Sequence, residues 1–158
     1  MIKSVTKVFL YVLFAGFALY GVYSVGAQVS TAANSPAPVR FDRDKMAGIG
    51  LQAIPPDSYK DILVGGQLNM RVATLFDGKE LRASIFESTP AKTDHRTRPN
   101  DVDEFVFVLS GKLILTEPGG TAHEFRPGDA LVLPLGYTGT WEMQGNYREI
   151  AVTAKRAR

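Results

Sequence analysis

The chain contains no cysteine, which removes disulfides, thiol nucleophiles and thiolate metal sites together. It holds two histidines, His95 and His123, and their positions assemble no Ser-His-Asp set. Charge of one sign is also missing. The formal net charge is +2, but Lys3 and Lys7 lie near the N-terminus, and the remainder of the chain balances acid against base. No basic stripe remains for nucleic acid. There is no phosphate-binding glycine loop and no internal repeat, and Asn100 does not sit in a glycosylation signal.

What is present begins with a leader. Lys3 and Lys7 precede an uncharged apolar run, residues 8–27, that ends in the small residues Val25-Gly26-Ala27. Basic residues, an apolar stretch and a small-residue exit describe a secretory signal. The run also reaches the roughly 20 residues that a membrane-spanning helix needs. Residues 1–27 are therefore read as a cleaved signal peptide or a retained membrane anchor. Either reading exports the rest of the chain, to the periplasm or the outer face of the cytoplasmic membrane of a bacterium. Any membrane contact would run through residues 8–27. Residues 28–58 form a small, polar, proline-bearing tether followed by an arm that packs on the domain.

Residues 59–158 read as one β-domain. Met70, Val72, Thr74 and Phe76 alternate toward an Asp77-Gly78 hairpin turn, and residues 81–87 supply the partner strand. Residues 88–103 are polar and proline-containing, and are read as a long functional loop. The segment DEFVFVLSGKLILTE starts on Glu104, turns at Ser110-Gly111 and runs back. FRPGDALVLPLGYTGTWEM gives a Gly-Asp turn, an apolar strand, a Pro134-x-Gly136 corner and another strand. Residues 148–154 close the fold. About eight strands result, with no substantial helix after the leader. The strand at 104–109 is apolar on both faces, with Glu104, Val106 and Val108 on one side and Phe105, Phe107 and Leu109 on the other. Its outer side therefore needs a cover: the arm, another sheet or a second subunit.

The spacing of Glu104 to Gly111 and of Gly128, Pro134 and Gly136 resembles the paired motifs of the cupin superfamily. Phe86-Glu87-Ser88-Thr89-Pro90-Ala91-Lys92 and Gly139-Thr140-Trp141-Glu142 resemble segments of the branch containing ureidoglycine aminohydrolase and ethanolamine-utilisation protein Q. The likeness spans about residues 70–154. It implies an all-β, double-stranded β-helix (jelly-roll) barrel, a homodimer, and a small-molecule ligand, often bound with a divalent metal such as manganese, iron, nickel or zinc.

The motif ligands are incomplete here. His95-Arg96-Thr97 offers one imidazole where the resemblance implies two, Glu104 is in place, and Gly139 stands where the second-motif histidine would be. His95 and Glu104 give two metal ligands, and a third must come from Glu142, Glu87 or His123. Glu104 opens an apolar strand and should face inward, where burial favours its neutral form unless a metal or an arginine holds it charged. That makes it a candidate general acid or base. Trp141 would wall the same cavity. Tyr137 at the corner and Arg96 and Arg82 are candidate ligand contacts. The leading expectation is an exported cupin binding a small polar metabolite. A metal-dependent hydrolase or isomerase and a non-catalytic interaction module are the alternatives.

Overall fold

The computed structural model describes residues 36–155, so the expected leader lies outside the described residues. Among those described, no helix is long and apolar enough to cross a membrane. A short helix, α1 (Arg43–Met46), is capped by Asp42, whose carboxylate accepts from the backbone N–H of Asp44 and Lys45. The strands come next: β1 (Gln52–Ala53), β2 (Leu63–Gly66), β3 (Met70–Asp77), β4 (Leu81–Ser88), β5 (Ala91–Asp94), β6 (Glu104–Thr116), β7 (Ala122–Phe125), β8 (Ala130–Leu133) and β9 (Thr140–Ala154).

Two long strands organise the rest. β9 pairs with β4 through its C-terminal half and with β5 through its N-terminal half. β6 pairs with β8 at one end and β7 at the other. The two run antiparallel to each other along almost their whole length. Each therefore passes from one layer of the barrel into the other, which requires a bend.

The bend falls at two facing glycines, Gly111 with φ +70° and Gly145 with φ +67°, where the register slips. A Cβ on Gly111 would lie 2.7 Å from the Gln144 carbonyl and the Tyr147 Cα. Only glycine supplies both the left-handed conformation and the clearance. The turn expected at Ser110-Gly111 is thus a bulge in a continuous strand, because β9 stays hydrogen-bonded on both sides of it. Likewise, residues 148–154 are not a separate closing strand but the second half of β9. Part of the loop expected at 88–103 is β5, which fills the edge of β9 that β4 leaves open.

Both faces of β6 and β9 are apolar. Val106, Val108, Leu113 and Leu133 are fully buried inside the barrel, each contributing roughly 1.5–3 kcal/mol. On the outer face Ile85 and Ala83 are equally inaccessible. The arm provides part of the cover: Leu51 is buried, β1 pairs with β3, and Lys45 Nζ donates to the Thr74 carbonyl at 3.3 Å. Phe105 and Val132, register partners on β6 and β8, remain 41% and 63% exposed.

Candidate functional site

The inner face leaves a cavity of about 190 Å³. Ile62, Leu68, Met70, Phe86 and Met143 give it an apolar wall. Tyr59 packs in the adjoining core, its hydroxyl donating to the Leu68 carbonyl at 2.9 Å. The segment after β5 is tied to the corner before β9 by backbone hydrogen bonds: His95 N–H to Gly139 O at 2.7 Å, Asn100 N–H to Tyr137 O at 2.9 Å, and Gly136 N–H to Asn100 O at 2.7 Å. These ties hold His95 and Asn100 on the cavity wall.

Two carboxyl groups share the space. Glu149 on β9 is 5% exposed and accepts a hydrogen bond from the Tyr147 hydroxyl. Burial, with the charge of Glu104 adding to it, pushes its acid up to about 7 despite that bond. Glu104 opens β6. Burial raises it as well, offset in part by Asn100, whose Nδ2 stands 3.5 Å from its Oε2. The phenol of Tyr147 is pushed upward by burial and by its carboxylate neighbour, so it stays a donor.

The aromatic side of the wall is a pair. The His95 and Trp141 rings lie 5.0 Å apart at 32°, and His95 Nε2 meets Thr93 Oγ1 at 3.0 Å. Burial lowers the imidazole below its ordinary value, so it is neutral at pH 7. Trp141 and Ser88 line the cavity, and their Nε1 and Oγ atoms are buried with no hydrogen-bond partner in the protein.

Of the residues singled out in the sequence, Glu104, His95 and Trp141 meet at this cavity. Tyr137 packs against the neighbouring core, its buried hydroxyl also without a partner. Arg96 is an exposed side chain chelated by Asp94, with Nε at 3.0 and 2.9 Å from the two carboxylate oxygens. Arg82 pairs with Asp77 at 3.3 Å. Neither arginine lines the cavity.

The donors do not fit a metal. Glu142 hydrogen-bonds Gln144 and lies 3.9 Å from Lys92. Glu87 is clamped by Arg71 and Arg148. His123 pairs with Glu117 at 2.8 Å. Among the described residues no three His, Asp or Glu side chains converge as ligands. The backbone explains the missing histidine. Gly139 has φ +150°, and a Cβ there would sit 2.5 Å from the Thr116 carbonyl oxygen and 3.0 Å from the Tyr137 hydroxyl, so no side chain can be placed without moving a strand.

Sequence reasoning missed Glu149, Tyr147, Ser88 and Asn100. A signal existed: Trp141, Met143, Tyr147, Glu149 and Ala151 share one parity. It surfaces only when β9 is read without interruption through Gly145.

A barrel closed by two long bent strands, with its cavity on their inner face, is the cupin fold. Residues 77–150 match the model of the EutQ-like cupin domain family. Solved structures show the same fold. The EutQ protein of Clostridium difficile aligns at 20% identity over 70% of this chain and 83% of its own, with a TM-score of 0.53. A protein from Pseudomonas syringae pv. tomato aligns at 23% identity over 65% and 43%, with a TM-score of 0.57. The polyketide cyclase RemF of Streptomyces resistomycificus aligns at 20% identity over 75% and 80%, with a TM-score of 0.51. None of the curated proteins compared matches the chain.

Proposed function

We propose that this cupin binds a small metabolite with a polar head in its barrel, on the outer side of the cytoplasmic membrane. The observation that carries the reading is the pair of partnerless buried groups, Trp141 Nε1 and Ser88 Oγ, on one wall with two carboxyls. Buried polar groups are almost always paired, and an unpaired one costs about 1–3 kcal/mol. A ligand that satisfies both would recover that cost. The cavity, at about 190 Å³, lies below the roughly 300–1,000 Å³ of drug-sized pockets, so the ligand is small. A metabolite screen by thermal shift tests the reading. Hits should raise the melting temperature of the wild type and lose the effect in Trp141→Ala and Ser88→Ala. Hits that stabilise all three equally bind elsewhere and would sink it.

One observation favours catalysis as a second reading. Glu149, with an acid raised to about 7, is suited to take and return a proton near neutral pH, with Glu104 as the second carboxyl. In that case Glu149→Gln abolishes turnover of the hit, even at saturating concentration, while the fold persists; undiminished turnover would refute it. The exposed Phe105–Val132 strip supports the expected homodimer, and a monomer mass at every concentration in light scattering would dismiss it.

A further inference from the structure

We infer that the ligand of the barrel cavity is a small organic cation: an ammonium group on a short apolar body that also carries an oxygen acceptor. This rests on the binding reading above and names its chemical class.

The first support is the charge of the wall. Glu104 and Glu149 line the cavity, and among the described residues none of the lining side chains is Lys or Arg. The nearby cations are all committed elsewhere. Arg71 and Arg148 hold Glu87, whose side chain leaves the opposite face of the sheet. Arg96 holds Asp94, Arg98 pairs with Asp61 at 3.7 Å and donates to the Ser58 carbonyl, and Lys92 faces Glu142. His95 is neutral. An anionic ligand would therefore enter an apolar enclosure that contains two carboxyls and no countercharge, which low polarity makes costly. A cation meets two carboxyl groups, favours their ionised form by its own charge, and pairs with them by charge-assisted hydrogen bonds.

The second support comes from the remaining groups. Indole Nε1–H only donates, so the partner it lacks is an oxygen or other acceptor on the ligand. Ser88 Oγ can accept from the ammonium. The rings of Trp141 and Tyr147 on the same wall suit a cation, and Leu68, Met70 and Met143 suit a hydrocarbon body.

Trp141 is the only tryptophan in the chain, so its emission reports on this cavity. The full-length protein would be titrated with three probes of one frame: 4-methoxybutylamine, 4-methoxybutanol and 4-methoxybutyrate. Manganese and zinc chloride would be run alone. The amine is expected to give a saturable emission change at least roughly tenfold tighter than the alcohol, the scale of a charge-assisted pair, and the carboxylate none. In Glu149→Gln, and independently in Glu104→Gln in case the first fails to fold, the preference of amine over alcohol should shrink severalfold. Equal or tighter binding of the alcohol or carboxylate overturns the cationic class while leaving the cavity a binding site. So does a response to the metals with none to the amine. Silence of Trp141 toward every probe overturns the binding reading itself.

Discussion

Glu87 and Glu149 occupy adjacent strands and opposite faces of one sheet, and they show how far a fold can divide one residue type. On the outer face, burial pushes Glu87 up, but Arg71 and Arg148 outweigh it and hold the carboxyl below its usual range. On the inner face Glu149 has a phenol in place of a guanidinium, and it rises to about 7. The side chains of Arg148 and Glu149 are neighbours in sequence and leave β9 in opposite directions. The outer carboxylate is a structural ion. The inner one is a group kept in reserve.

The largest expected effect comes from removing the inner acid. Glu149 is raised from 4.5 to about 7 in the fold. The unfolded chain therefore loses its proton first, and stability falls as pH rises from about 4.5 to about 7, by about 3 kcal/mol in all. Glu149→Gln should abolish that loss, making the variant more stable than wild type at pH 8 and little changed at pH 4, as urea unfolding would measure. A parallel pH profile in both proteins would mean that Glu149 is charged in the fold and the contrast with Glu87 is false.

On the outer face, Arg148→Ala leaves Glu87 with Arg71 alone. A cost of about 1–2 kcal/mol at pH 7 is expected, between an exposed and a buried pair, and it should shrink when Glu87 is changed to Gln in the same chain. An additive double-mutant cycle would show the two groups uncoupled. The smallest effect belongs to the exposed Arg96–Asp94 pair. Arg96→Ala should leave both the melting temperature and amine binding at wild-type values. Weakened binding in the probe titration would bring Arg96 back as a ligand contact.

The elements were largely legible because alternation and turn glycines are local signals. Val106 and Val108, Asp77-Gly78 and Gly128-Asp129 announce strands and turns wherever the chain is cut. The failures were non-local. Ser110-Gly111 has the same composition as a hairpin turn, and only the unbroken pairing of β9 makes it a bulge. Ala91–Asp94 lacks a strand-like sequence and becomes β5 because an edge of β9 is open. Glu104, His95 and Trp141 were legible from motif spacing, whereas Glu149, beside Arg148, belongs to no motif and drew no reading.

By itself, then, the sequence determined the absence of thiol chemistry, the all-β class, the cupin motifs and the shortage of metal-binding histidines, since each depends on residue type and spacing alone. Only the tertiary structure decided which acids are paired and which are stranded. That depends on what other strands bring within a few ångströms: two arginines to Glu87, a tyrosine and an apolar wall to Glu149, and no partner to the indole of Trp141.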